Sequence, residues 1–176
     1  MSPRFCFLVN INFFKFTLKW IPLGLHFFLM KKSCLLLLIF PSAVSAFCFE
    51  EAAAHYNVSP KLLRAIAQVE SSLNPKAYNE NKNESEKVTS RDFGLMQINS
   101  SWFPRLAEFN VNESNVYEPC FNVSLGAWVL ASNFASHGYN WNSVGAYNAG
   151  FSKRSESARK IYIKKVQAVY FSPNFK

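Results

Sequence analysis

The segment 119–134 constrains the fold more than any other part of the chain, because it is apolar almost all round when drawn as a helix. Apolar side chains recur along it at helical spacing: Cys120, Val123, Ala127, Leu130, Ala131 and Phe134. Leu125, Trp128 and Val129 extend the apolar surface to the other faces. A helix with no polar face is buried in the centre of a domain, and Gly138 is suited to end it. The segment therefore predicts a small helical domain built around one central helix.

Shorter helical patterns account for most of the remaining chain. Apolar periodicity and helix-end residues indicate four more helices, at 49–56, 59–72, 141–150 and 156–171. The polar segment 79–90 has no period and predicts a loop, with at most a small hairpin near Val88. Gly94 predicts a tight turn that enters another helix, continuing to Phe109. We expect one all-α domain of roughly six to eight helices with minimal strand.

The beginning of the chain has the layout of a targeting segment. In residues 30–46, two lysines precede a short apolar run and a small-residue cleavage site, which predicts a secretory signal peptide. Residues 1–29 do not belong to such a signal, so we interpret them as a non-native upstream extension and favour translation from Met30 over Met1. A membrane anchor is the alternative, but neither apolar run reaches the ~20 uncharged residues that a span needs. The mature domain is predicted to be 47–176 and periplasmic.

The positive charge of the chain is concentrated in this leader. The formal net charge is +8 over the whole sequence, and five of the positive residues lie before residue 47, which leaves +3 on residues 47–176. A mild positive charge suits an anionic polymer such as the cell wall. The chain contains no helix-turn-helix, zinc-finger or RNA-binding signature, so we expect no nucleic-acid partner.

Two cysteines remain once the leader is removed. An even number of cysteines in an exported chain predicts a disulfide between Cys48 and Cys120, although two free buried thiols are the alternative. The two histidines of this part, His55 and His137, are far apart and lack the spacing of metal ligands. We therefore expect no metal and no cofactor.

Glu70 is the first candidate for a chemical role. In the helix 59–72, Leu62, Ile66 and Glu70 share one face, so a carboxyl group ends an apolar stripe. Glutamate is rarely buried unless it is paired or used, and desolvation would raise its pKa and keep it protonated, as a general acid requires. The alternative is a frayed last turn that exposes Glu70 to water.

Three short motifs occur in a fixed order in this small helical chain. They are Val69-Glu-Ser-Ser72, Gly94-Leu-Met-Gln-Ile-Asn99 and Ala146-Tyr-Asn-Ala-Gly150. Together they resemble the soluble lytic transglycosylase family of lysozyme-like proteins. The likeness covers residues 47–170 and is greatest to the small members associated with type III secretion, type IV pili and conjugation. It implies a lysozyme-like domain with a glycan-binding cleft.

The resemblance also implies a chemical role for each matching residue. Glu70 matches the single catalytic acid, which protonates the glycosidic oxygen between N-acetylmuramic acid (MurNAc) and N-acetylglucosamine (GlcNAc). It then acts as the base while the C6 hydroxyl of the muramyl sugar closes a 1,6-anhydro ring. The hydroxyl of Tyr147 matches one that contacts this glutamate. The positions implied to bind substrate or line the groove are Ser71, Gly94, Met96, Gln97, Tyr147 and Asn148.

Asp92 leaves the reaction open, because glycosidases that hydrolyse their substrate use two carboxylates. Its simplest role is a turn or helix cap before Gly94; its alternative role is to position a water molecule, which would make the protein a goose-type muramidase. Goose-type enzymes tend to carry an acid at the position of Asn99, so the sequence favours the transglycosylase. A non-catalytic wall-binding module is the third possibility.

The resemblance further implies a setting for the activity. We expect a monomer that binds peptidoglycan strands and opens the wall locally for a secretion, pilus or conjugation machine. Components of that machine are the expected protein partners, because the chain has no second wall-binding domain to localise it.

Overall fold

A computed structural model describes residues 47–175 of the chain. The predicted upstream extension 1–29 and signal peptide 30–46 lie outside the described residues. The described part holds five α-helices and a three-stranded antiparallel sheet in the strand order β1-β2-β3. The helices are α1 (Phe49–Tyr56), α2 (Pro60–Ser71), α3 (Pro119–His137), α4 (Trp141–Ala149) and α5 (Glu156–Tyr170). The strands are β1 (Tyr78–Lys82), β2 (Val88–Phe93) and β3 (Ile98–Asn99).

The central helix predicted from the sequence is α3, and its burial is confirmed. Its buried residues are Asn122, Val123, Leu125, Gly126, Ala127, Val129, Leu130, Asn133 and Phe134. It packs against α1, α2 and α4. Glu118 caps its first turn by accepting hydrogen bonds from two backbone N–H groups, and Gly138 ends it with a φ of 83°. The other four predicted helices are also present, each within one or two residues of its expected bounds.

The segment 79–90 is more ordered than the predicted loop with a small hairpin near Val88, because it forms most of the β1–β2 hairpin, whose second strand begins at Val88. β1 is polar and largely exposed, and the interior of β2 is polar and mostly half-buried, so neither strand has the apolar alternation that identifies a strand in a sequence. Polar cross-strand pairs contribute to the hairpin instead. The Thr89 hydroxyl donates to the Asn81 carbonyl at 2.9 Å, and the Asn81 amide donates to the Ser90 hydroxyl at 3.1 Å.

The helix predicted after Gly94 is also absent. Gly94 has a φ of 74° and begins a tight turn, as expected, but the chain then forms β3 and two short 3-10 helices, Ser100–Trp102 and Ala107–Phe109. Pro104 lies between them and cannot donate the backbone hydrogen bond that a continuous helix requires.

The ends of α2 determine where its functional residue lies. The Ser59 hydroxyl accepts a hydrogen bond from the Leu62 N–H at 3.2 Å, and Pro60 occupies the first turn. Ser72 and Leu73 then adopt positive φ values of 54° and 62°, which stops the helix. Glu70 consequently lies in the last turn of α2.

Cys48 and Cys120 form the predicted disulfide, with their Cα atoms 5.1 Å apart. The bond joins the residue before α1 to the first turn of α3, so it fixes the N-terminal helix to the central helix. Within residues 47–175, every helix is too short or too polar to cross a membrane.

Candidate active site

Glu70 lies where two cavities meet. The larger, of about 480 Å³, lies between Glu70 and the sheet. The smaller, of about 340 Å³, lies between Glu70 and α5. Asn148 of α4 lines both cavities. We refer to the two cavities together as the groove, with a sheet side and an α5 side.

The environment of Glu70 favours a protonated carboxyl group. The pKa of Glu70 is raised from the ordinary 4.5 to about 7, mainly by burial. A hydrogen bond from Tyr162 and the charge of Lys165 lower the pKa, and the negative charge of Asp92 adds to the increase. The side chain is only partly exposed, which excludes the frayed, water-facing alternative. A carboxyl group with a pKa near neutrality can both donate and accept a proton at physiological pH.

Tyr162 of α5, not Tyr147, makes the hydrogen bond to Glu70. The Tyr162 hydroxyl donates to Glu70 Oε1 at 2.5 Å. The Tyr147 hydroxyl donates instead to the Met96 carbonyl at 2.8 Å, although its ring lines the sheet side of the groove. The pKa of both tyrosines is raised well above 10, mainly by burial and secondly by the nearby charge of Glu70. Both hydroxyls therefore keep their protons. The expected contact between the Tyr147 hydroxyl and Glu70 is thus corrected.

Sequence reasoning gave Tyr162 no role at the site. The available signal was its hydroxyl, because a tyrosine at a buried helix position needs a hydrogen-bond partner. Tyr162 is 5% exposed, and 92 residues separate it from Glu70, so periodicity alone could not pair them.

Of the three residues implied to line the groove in the turn after β2, only Gln97 does so. Met96 is fully buried and packs against Gly126 of α3, where an added Cβ would lie 2.6 Å from the methionine methyl group. Gly94 is buried against Asn122, which leaves no room for a side chain at this position. The groove-lining roles of Gly94 and Met96 are therefore corrected to packing roles that shape the turn.

Asn122 holds this turn in place. Its side-chain oxygen accepts a hydrogen bond from the Met96 N–H at 2.7 Å, and its amide donates to the carbonyls of Phe93 at 2.9 Å and Val116 at 2.8 Å. The side chain is fully buried and satisfies three backbone groups at once. Gln97 is presented to the groove at the end of this turn, with a φ of 47° and its amide donating to the Gly94 carbonyl at 2.9 Å.

Ser71, which is expected to bind substrate, makes a hydrogen bond within the protein. Its hydroxyl lies 2.8 Å from the Leu95 carbonyl, to which it donates. This bond ties the last turn of α2 to the turn that carries Gln97. The neighbouring Glu70 is thereby held at a fixed position relative to the sheet side of the groove.

Asp92 lines the sheet side of the groove. It does not form the turn or helix cap that was its simplest expected role. It lies within β2, and its carboxylate accepts hydrogen bonds from the side-chain amides of Asn81 at 2.7 Å and Asn99 at 2.6 Å. Ser90 lines the same wall and accepts from both of these amides, at 3.1 Å and 3.0 Å. The strands thus present one oriented carboxylate in a network of neutral polar groups.

The fold and the groove together indicate the class of protein. A small helical domain has a polar groove, and a partly buried carboxyl group with a pKa near 7 lies at its centre. Amide, hydroxyl and carboxylate groups line the groove together with Trp102. This construction is that of a lysozyme-like protein, in which such a carboxyl group can act as a general acid.

Comparison with known proteins gives the family. The chain belongs to the transglycosylase SLT domain family, whose pattern matches residues 47–169. It is 40% identical over 124 residues to the invasion protein IagB of Salmonella typhimurium, covering 70% of this chain and 74% of IagB. It is 36% identical over 137 residues to protein IpgF of Shigella flexneri, covering 77% of this chain and 87% of IpgF. A peptidoglycan-binding-like protein of Escherichia coli O157:H7 is 36% identical over 132 residues, covering 73% and 79%.

The fold matches that of a solved lytic transglycosylase. An X-ray structure of an inactive mutant of Slt from Pseudomonas aeruginosa superposes with a TM-score of 0.52 at 18% identity, covering 74% of this chain and 24% of that chain. At this identity the match establishes the fold, and the chain spans about a quarter of that protein. The family match confirms the predicted family and its transglycosylase class, and the structural match confirms the mostly helical lysozyme-like fold.

Proposed function

We propose that this protein cleaves the β-1,4 bond between MurNAc and GlcNAc in peptidoglycan and forms a 1,6-anhydro-MurNAc end. The observation that carries the proposal is the partly buried carboxyl group of Glu70, with a pKa of about 7, at the junction of the two sides of the groove. A glycan strand lying along the groove would pass this carboxyl group. The family assignment supports peptidoglycan as the strand.

The proposed reaction uses Glu70 first as an acid and then as a base. Tyr162 occupies Oε1, which leaves Oε2 available to carry the proton. That proton passes to the glycosidic oxygen as its bond to the muramyl anomeric carbon breaks, and GlcNAc leaves as an alcohol. The Glu70 carboxylate then removes the proton from the muramyl C6 hydroxyl, whose oxygen bonds to the anomeric carbon. Glu70 ends protonated as it began, and no water is consumed.

The chemical form of the product tests this proposal. Purified peptidoglycan is incubated with the protein, and mass spectrometry identifies the soluble fragments. We expect 1,6-anhydro-MurNAc ends, absent with Glu70→Gln and retained with Glu84→Gln, which removes an exposed carboxyl group from the hairpin turn. The folded, disulfide-bonded protein should also be tested together with an extract that contains the secretion, pilus or conjugation machine. If no fragments are released under either condition, the result would support a non-catalytic wall-binding module.

Asp92 supports a second candidate, a muramidase that hydrolyses the same bond. Hydrolysis requires a second carboxylate to position water or to form a covalent intermediate. Asp92 is a carboxylate on the groove wall, close enough for its charge to raise the pKa of Glu70. Reducing MurNAc ends that disappear in Asp92→Asn would establish this reaction. Anhydro ends that persist in Asp92→Asn would exclude it.

We further propose that the enzyme is exported by residues 30–46 and acts as a periplasmic monomer that opens the wall for a secretion, pilus or conjugation machine. Similarity to a protein named for invasion, over most of both chains, supports a secretion machine in particular. Deletion of the gene should reduce assembly of that machine, and the wild-type gene should restore it. Restoration by Glu70→Gln would show that the protein contributes binding and not cleavage.

A further inference from the structure

The α5 side of the groove differs in chemistry from the sheet side. Polar groups dominate the sheet side, whereas polar and apolar groups contribute about equally to the α5 side, where the apolar residues are Val69, Ala158 and Ile161. Ile161 is 55% exposed although it is a large aliphatic side chain. An exposed apolar side chain in a cavity beside an active-site acid indicates contact with a ligand that has apolar groups of its own.

Lys165 supplies the positive charge of this side. It lines the cavity and is exposed, and the described residues offer it no carboxylate within salt-bridge distance. Lys160, on the same helix, is instead paired with Glu156 at 2.6 Å. The charge of Lys165 acts on Glu70, so its ammonium group lies within electrostatic reach of the reacting bond. Its neighbour Lys164 is equally exposed but does not line the cavity.

We propose that Lys165 and Ile161 bind the stem peptide of a muramyl sugar, so that the enzyme prefers strands that carry peptides with free carboxylates. This inference rests on the proposed function, because it assumes that the strand in the groove is peptidoglycan. A stem peptide is short and acidic, and it contains small apolar side chains. Lys165 pairs with a stem carboxylate, and Ile161 packs against the methyl groups beside it. Neither group is required for the chemistry at the glycosidic bond.

Binding by a catalytically blocked protein tests the inference without cleavage. Soluble peptide-bearing glycan strands are compared with the same strands after their carboxylates have been converted to methylamides. In a Glu70→Gln background we expect about fivefold tighter binding of the untreated strands. Adding Lys165→Met should abolish the preference, while Lys165→Arg should retain it. Lys164→Met removes the same charge outside the cavity and serves as the matched control.

Cleavage rates then separate this inference from the proposed function. With Glu70 intact, the ratio of kcat/KM for the two strands should follow the same pattern, because any change in Glu70 itself affects both substrates equally. Cleavage with equal rates on both strands would overturn the inference and leave the enzyme assignment intact. A preference in binding with no cleavage would overturn the enzyme assignment instead. Equal losses in Lys164→Met and Lys165→Met would show that only general charge matters, which also refutes the inference.

Discussion

The shifted pKa of Glu70 predicts that replacing it by glutamine stabilises the protein, in a manner that depends on pH. The pKa is about 7 in the folded protein, against 4.5 for an ordinary glutamate. Each unit of difference corresponds to about 1.4 kcal/mol, so ionising Glu70 costs the folded state about 3 kcal/mol. Below pH 4.5 the group is neutral in both states and this cost is absent. Between pH 4.5 and pH 7 the unfolded state ionises while the folded state stays protonated, so stability falls across this range and levels off above pH 7.

Glutamine cannot ionise, so Glu70→Gln escapes this loss. We expect the variant to gain about 3 kcal/mol in free energy of unfolding relative to the wild type between pH 4 and pH 8, and to gain nothing further above pH 8. Urea titrations at several pH values, with the disulfide intact, measure this difference. Glu84→Gln removes an exposed carboxyl group and allows general charge effects to be subtracted. Parallel pH curves for the wild type and Glu70→Gln would refute the claim that burial keeps the acid protonated.

Three other predictions follow from individual contacts. Tyr162→Phe removes a hydrogen bond that lowers the pKa of Glu70, so the alkaline fall in kcat/KM should move to higher pH. Activity should also be about 10- to 100-fold lower. A pH profile that does not move would contradict the contact. Asn122→Ala leaves three backbone groups without partners and should cost about 3–5 kcal/mol in urea unfolding, whereas a loss under 1 kcal/mol would contradict its bridging role. Replacing Cys48 and Cys120 by serine opens a loop of 72 residues and should cost about 4 kcal/mol in the same assay; unchanged stability would show that the bond does not constrain the unfolded chain.

The sequence predicted the helices well because they depend on local patterns. The apolar spacing of α3, the Ser59-Pro60 cap of α2 and the glycine after α3 each specify structure within a few residues. The extent of the hairpin was underestimated because its strands are stabilised by cross-strand polar pairs and not by an apolar face. Such pairs become visible only once the register of the two strands is known.

The site was predicted unevenly for a related reason. Motifs located Glu70 and Gln97, but they did not distinguish a residue that reaches the groove from one that only shapes it. Met96 directs its side chain into α3, while the positive φ of the next residue turns Gln97 towards the cavity. The partner of the acid, Tyr162, comes from a helix at the other end of the chain. Contacts between distant segments require the packed structure.

The last helix carries more of the site than its position in the chain suggests. Tyr162 orients Glu70, and Lys165 faces the same cavity one turn further along. Arg159, one turn before Tyr162, is 7% exposed and donates to the carbonyls of Gly150 and Ser152 at 2.9 Å and 2.7 Å. Because a guanidinium can satisfy several acceptors at fixed angles, this residue anchors α5 to the turn that follows α4. Gly150, the last residue of the Ala-Tyr-Asn-Ala-Gly motif, therefore helps to fix the position of α5 through its carbonyl group. Because α5 carries Tyr162, this contact also helps to position Glu70.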